Sequence, residues 1–117
     1  MSDSAMSQSG STSSGAAAGP QDEKGRVADS LTATVDDWRA RIGELRVQAD
    51  LAKLDVRERA TKQLDIAQNA SLAAASKLRE ARRDATVSAQ SLGDAVRKLL
   101  EDIKEAFEAA GAVIARG

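Results

Sequence analysis

Apolar side chains recur at alternating steps of four and three residues along most of this chain, beginning near Val27. This spacing places them on one stripe of an α-helix and is the repeat of coiled coils. The larger members of the stripe are Leu31, Val35, Trp38, Ile42, Leu45, Val56, Leu64 and Leu78. The pattern predicts a long helix over residues 27–91 that presents this interaction stripe to a partner helix.

Two places along the stripe favour a break. Gly93 lies between Ser91 and Asp94, which are both good helix caps, and glycine readily takes the left-handed conformation that ends helices. We therefore expect a turn at Gly93, followed by a short C-terminal helix over residues 94–115. Residues 68–71 include weak helix formers and are a second candidate hinge, which would convert the long helix into a helical hairpin.

The C-terminal segment has the broadest apolar face of the chain. Its larger apolar members are Val96, Leu99, Ile103 and Phe107, which we include in the interaction stripe. Its polar side carries acidic as well as basic residues, whereas helices that lie on membranes usually have a Lys/Arg-rich polar face. Docking on the alanine-rich part of the long helix is therefore favoured, and binding to a membrane or inclusion surface is the less favoured alternative.

Residues 1–25 differ from the rest, because they are rich in Ser, Gly and Ala and lack the apolar repeat. Such a segment buries too little apolar surface to offset the entropy of ordering, which predicts a disordered tail ahead of a helical region over residues 26–117. No secretory signal follows Met1, and the apolar runs are too short to span a membrane. A cytoplasmic location is expected.

The composition limits the kinds of catalytic and metal site that the chain can form. The chain has no His and no Cys, which removes the commonest general base, the usual zinc ligands and any disulfide. Its carboxylates are scattered along solvated helix faces, and such faces do not provide the desolvated pocket that a general acid needs. We therefore expect no enzymatic activity, no catalytic residues, no metal site and no cofactor.

The charge balance argues against nucleic acid as a partner. The chain has 17 basic and 18 acidic residues, for a net charge of -1, so it has no bulk attraction to phosphate. The most basic window, residues 77–84, also contains Glu80 and Asp84 and has no aromatic side chain on which bases stack. A homo-oligomer or a helical protein partner is expected instead, because the alanine-rich half of the stripe stabilises a lone helix poorly.

The layout of the chain is similar to that of a known group. Trp38, Ile42 and Leu45 form a W-x3-I-x2-L motif, which is followed by a charged, alanine-rich middle and a C-terminal amphipathic segment entered through Gly93. In these features residues 32–117 resemble small bacterial coiled-coil proteins of cyanobacterial type, known as stress-response proteins. The resemblance implies a link to stress and implies neither an enzymatic activity nor a ligand.

The sequence thus predicts an all-α protein, either one long coiled-coil helix or a helical hairpin, with a short C-terminal amphipathic helix and a disordered N-terminal tail. The expected function is that of a non-enzymatic structural or interaction protein, linked to stress, that self-associates through the stripe. Two alternatives stay open. One is a phasin-like or apolipoprotein-like protein that coats lipid or polymer surfaces, and the other is a subunit resembling the peripheral stalk of a rotary ATPase without its membrane anchor.

Overall fold

The computed structural model describes residues 20–117, which form three α-helices joined by two short connections. The first helix, α1, spans Pro20–Asp50, α2 spans Leu54–Arg83 and α3 spans Ala89–Arg116. This part of the chain contains no strand, so the prediction of an all-α fold is confirmed. Most of the segment predicted to be a disordered tail, residues 1–19, lies outside the described residues.

The three helices form an up-down-up bundle with two apolar clusters. The end of α1, the start of α2 and the end of α3 share one cluster, which includes Leu45, Leu64 and Ile103. The start of α1, the end of α2 and the start of α3 share the other, which includes Val35 and Leu78. Consequently α2 runs antiparallel to α1 and α3, and every pair of helices is in contact. The hairpin alternative, not the single long helix, describes the first two elements.

The helix predicted over residues 27–91 ends at Asp50, so the prediction of one continuous helix is wrong. The backbone N–H groups of Leu51 and Ala52 donate hydrogen bonds to carbonyl groups three residues back, which tightens the last turn of α1. Lys53 then takes an extended conformation with φ of -60° and ψ of 155°. No glycine or proline marks this turn, and the four-and-three spacing continues across it, so the apolar pattern did not reveal it.

The candidate hinge at residues 68–71 is also wrong, because these residues lie within α2. Ser71 is fully buried, and its hydroxyl donates a hydrogen bond of 2.7 Å to the carbonyl of Gln68. The buried hydroxyl is thereby satisfied within the helix. Packing against the neighbouring helices overrides the weak helix propensity of this stretch.

The turn predicted at Gly93 is wrong as well. Gly93 is buried within α3, near Val27 of α1. The C-terminal helix therefore begins at Ala89 and has 28 residues, so it is longer than the helix predicted over residues 94–115. A glycine inside a helix costs about 1 kcal/mol relative to alanine. Leu92 and Val96, on either side of Gly93, are buried in the second cluster, and this burial favours the helix against that cost.

The second connection covers residues 84–88 and has its own hydrogen bonds. The Asp84 carboxylate accepts from the backbone N–H of Thr86 at 2.9 Å and from its hydroxyl at 2.6 Å. This is a local turn of the kind that Asp favours. Ser88 then caps α3, because its hydroxyl oxygen accepts from the backbone N–H of Ser91 at 3.0 Å.

The first helix begins at Pro20, earlier than the predicted boundary between residues 25 and 26. Proline at the first helical position and two acidic residues in the first turn both favour a helix start. Lys24 in this added turn is only 5% exposed, and its Nζ donates a hydrogen bond of 3.0 Å to the backbone carbonyl of Asp84. This hydrogen bond joins the start of α1 to the end of α2. The apolar stripe alone does not predict such a contact.

Candidate interaction surfaces

The interaction stripe predicted from the sequence lies inside the bundle. Eight of its members are buried: Val35, Ile42, Leu45, Val56, Leu64, Leu78, Val96 and Ile103. Leu31, Trp38, Leu99 and Phe107 are half-buried and pack against the two clusters. The same chain therefore supplies the partner helices that the alanine-rich segment requires. The stripe residues form the core of the resulting bundle.

The two aromatic residues of the chain meet between α1 and α3. The rings of Trp38 and Phe107 have centroids 5.3 Å apart and an interplanar angle of 71°, which is the favoured edge-to-face arrangement. The guanidinium carbon of Arg41 lies 5.1 Å from the centroid of the Trp38 ring, within the range of a cation–π contact. The sequence placed both aromatic residues on apolar faces, but only the fold brings them together.

Polar contacts surround the connection between α2 and α3. The pKa of the Asp84 carboxyl group is lowered, chiefly by the hydrogen bond from the Thr86 hydroxyl, then by the Thr86 N–H, with a smaller contribution from the charge of Lys24. Both Lys24 and Asp84 act on the backbone here, one at a carbonyl group that ends α2 and one at the following turn. These contacts join the connection to the start of α1 and to its own backbone.

Two ion pairs join α1 to α2 at the surface. Arg82 reaches Asp29 at 2.8 Å, and Arg46 reaches Asp65 at 3.1 Å and the side chain of Gln68 at 2.8 Å. The basic window that the sequence singled out thus includes one arginine in a contact within the chain. Exposed pairs of this kind each contribute at most about 1 kcal/mol to stability, so the apolar clusters dominate the packing.

A shallow groove of about 330 Å³ follows the contact between α1 and α2. Val35 and Leu78 are among the residues that line it, together with Arg39 and Arg79. Leu78, which is 3% exposed, therefore borders an open groove, whereas Leu64 is 0% exposed.

Large apolar side chains are exposed in two places among the described residues. Val47, Leu51 and Leu54 surround the turn between α1 and α2 and are 61%, 84% and 60% exposed, and we call them the end patch. Ile66 and Leu72 lie on α2 and are 49% and 47% exposed. Such side chains are normal when isolated, but grouped apolar exposure marks candidate contact surfaces.

The polar groups of the described residues do not form an evident chemical site. Within residues 22–117, no three carboxylate side chains are grouped so that they could hold a metal ion. In the same part of the chain, every buried side-chain nitrogen and oxygen atom has a hydrogen-bond partner. None of the helices α1–α3 is long and apolar enough to cross a membrane.

Comparison with known protein families, curated proteins and solved structures finds no match to this chain. The resemblance to stress-response coiled-coil proteins, based on Trp38, Ile42 and Leu45, therefore stays a prediction from the sequence. In the fold these three residues lie along one face of α1 and pack into the first apolar cluster.

Proposed function

We propose that this protein is a non-enzymatic helical interaction protein that self-associates. The observation that carries the proposal is the exposure of large apolar side chains on a bundle whose core is already complete. The end patch and the exposed apolar residues of α2 lie at the surface and take no part in the bundle core. The polar contacts described above, in contrast, are helix caps, turns and ion pairs within the chain.

Self-association through the interaction stripe requires the bundle to open, because Ile42, Leu64 and Ile103 are buried within one chain. We therefore place the proposed contact on the exposed surface of the closed bundle. Sedimentation of the full chain over a range of concentrations tests this. The melting temperature is expected to rise with concentration by mass action while the helical content stays constant. A chain that sediments as a monomer throughout contradicts the proposal.

A link to stress and a cytoplasmic location complete the proposal, and both are supported by the sequence alone. The stress link depends on the resemblance carried by Trp38, Ile42 and Leu45. Its test is the abundance of the protein in its native host before and after stress, with capture of bound proteins under both conditions. Equal abundance and an unchanged set of bound proteins contradict the stress link without affecting the proposed self-association.

A second candidate function is the coating of lipid or polymer surfaces, as in phasins and apolipoproteins. The end patch and the broad apolar face of α3, which includes Ile103 and Phe107, favour it. Co-sedimentation with liposomes or inclusion granules is the direct measurement. Opening of the bundle on a surface would separate Trp38 from Phe107, so a shift in tryptophan fluorescence is expected together with binding. An unchanged spectrum and no co-sedimentation argue against this candidate.

A further inference from the structure

The middle of α2 carries no charge on the side that faces away from α1 and α3. Residues 66–76 contain no ionisable side chain, although charged residues make up 30% of the chain. Asn69 and Ala73 are exposed at the centre of this side, with the exposed apolar Leu72 and Ile66 to either side of them. We call this surface the outer face of α2. A solvent-facing helix surface usually carries charged residues along its length, so this uncharged centre favours a contact with another surface.

Charged residues flank the uncharged centre on both sides. Their signs are such that basic residues would lie opposite acidic ones if a second α2 helix were placed antiparallel to the first. Lys62 precedes it and Glu80 follows it, each seven residues beyond Asn69 or Ala73. They are eighteen residues apart, which is five full helical turns at 3.6 residues per turn, so they lie on the same side of α2. Both are exposed, and neither belongs to an ion pair within residues 22–117.

A second pair of charges repeats this relationship farther from the centre. Glu58 lies near the start of α2 and Arg83 is its last residue, and both are exposed. They are separated by close to seven helical turns and so also lie on one side of the helix. Two further charges lie between the two halves of the pattern. Asp65 is already paired with Arg46 of the same chain at 3.1 Å, and the exposed Lys77 lies about 60° around the helix from Lys62 and Glu80.

We propose that the outer face of α2 binds the same face of a second copy of this chain, with the two α2 helices antiparallel. The two-fold axis passes between Asn69 and Ala73. It sets Lys62 opposite the partner's Glu80, and Glu58 within one residue of the position opposite the partner's Arg83, and symmetry repeats each contact. A parallel arrangement would instead set each of these charges beside its own copy, which is repulsive. The antiparallel register is therefore the one that the charges favour.

The uncharged centre supplies the apolar part of the contact. Leu72 is about 1.5 Å along the helix from the midpoint between Asn69 and Ala73 and lies at one edge of the outer face. The two-fold axis brings both copies of Leu72 to the same edge of the contact, at nearly the same level. The contact from residue 62 to residue 80 is about 27 Å long at 1.5 Å per residue. A single pair of helices over this length buries less than a standard stable interface, so the dimer is concentration-dependent. This inference rests on the proposed self-association and assigns it a surface and a geometry.

Charge reversal on the full chain tests the register. Lys62→Glu and Glu80→Lys are each expected to weaken dimerisation about tenfold, because each change turns two attractive contacts into two repulsive ones. The double variant, with both changes in one chain, is expected to dimerise like the original chain because every pair is restored with the signs exchanged. Sedimentation equilibrium measures all three, and circular dichroism at low concentration shows that each variant is folded.

Matched changes away from α2 serve as controls. Lys98→Glu on α3 and Glu44→Lys on α1 alter the net charge by the same amounts at exposed positions and should leave dimerisation unchanged. Leu72→Ser is expected to weaken the dimer about tenfold, because it removes the apolar contact at this edge twice. Leu51→Ser, in the end patch, removes a leucine that is more exposed and should have no effect.

The outcomes separate this surface from the proposed function. A dimer that is unaffected by Lys62→Glu and Glu80→Lys, or that is weakened by Leu51→Ser instead of Leu72→Ser, forms through another surface. That result overturns this inference and leaves self-association standing. A double variant that stays as weak as the single variants overturns the antiparallel register. An original chain that remains monomeric at millimolar concentration overturns both the inference and the proposed self-association.

Discussion

The two ends of the bundle are held together by different interactions. At the end that contains the turn between α1 and α2, the contacts are mainly apolar: Leu64 and Ile103 share a cluster, and the C-terminal Gly117 lies against Val56. Arg46 adds polar contacts with Asp65 and Gln68 in this half of the bundle. At the end that contains the connection between α2 and α3, a smaller cluster is supplemented by the Lys24 hydrogen bond and the turn at Asp84. We refer to them as the apolar end and the polar end.

The difference shows what each connection needs in order to form. The turn at the apolar end has no side-chain cap, since Lys53 at the start of α2 makes no capping hydrogen bond. Its position depends on the apolar contacts of the helices on either side. The connection at the polar end contains its own hydrogen bonds at Asp84 and Ser88, and short-range contacts of this kind form without the rest of the bundle. One connection is therefore fixed by tertiary packing and the other largely by local sequence.

The largest expected effect comes from the same truncation at the two ends. Leu64→Ala should lower the free energy of unfolding by about 4 kcal/mol and Leu78→Ala by about 2 kcal/mol. Leu64 is completely enclosed, whereas Leu78 borders the open groove between α1 and α2, where neighbouring side chains and water can fill the space. Urea denaturation followed by circular dichroism measures both. Equal losses would show that the two ends are packed alike.

Removal of the Lys24 ammonium group should weaken the polar end by a smaller amount. Lys24→Met keeps the length of the side chain but leaves the carbonyl of Asp84 without its donor, at a cost of about 1 kcal/mol. Arg82→Met is the comparison, because it removes the exposed ion pair with Asp29 and should cost no more than about 0.5 kcal/mol. Thermal melting of both variants decides whether the buried contact matters more. A loss for Arg82→Met that equals or exceeds that for Lys24→Met would contradict this.

Gly93→Ala should strengthen the polar end. A Cβ atom at this position meets only the Arg97 side chain, at an ordinary contact distance of 3.8 Å. The backbone is helical, so alanine is expected to raise the free energy of unfolding by about 0.5–1 kcal/mol. Gly43→Ala on α1, where a Cβ meets nothing within 4 Å, is the matched control and should be stabilising as well. If Gly93→Ala is destabilised while Gly43→Ala is stabilised, the result contradicts a helical Gly93 and supports the turn predicted there from the sequence.

The smallest expected effect is a dependence on acid pH at the polar end. The pKa of Asp84 is lowered in the folded chain from an ordinary value of 3.8. Its contribution to stability is therefore fully present above about pH 4 and is lost as the pH falls through the lowered pKa of the folded state. Thr86→Val removes the hydroxyl donor and should reduce this part of the pH dependence. Melting temperatures of the original chain and of the Thr86→Val variant between pH 2 and pH 5 measure this pH dependence. Identical profiles would count against the role of Thr86.

The sequence by itself determined which residues form the core. The apolar stripe assigned Val35, Ile42, Leu64 and Ile103 to the face that contacts another helix. All four are buried, because burying one face of an amphipathic helix is the main source of its stability in water. The proline and acidic residues at the start of α1 and the capping residues Asp84 and Ser88 fit the elements that form there, but these elements were not predicted from the pattern. The predicted helix stop was Gly93, which lies inside α3.

Only the tertiary structure decided where the chain reverses and which surfaces stay free. The stripe keeps its spacing from Ala49 to Val56 through the first turn, so periodicity describes one long helix and a folded hairpin equally well. The choice depends on whether the helices bury the stripe against one another or against another chain, which is a matter of long-range packing and not of local propensity. Because the bundle buries the stripe within one chain, Ile66 and Leu72 are among the few large apolar side chains of the described residues that remain exposed.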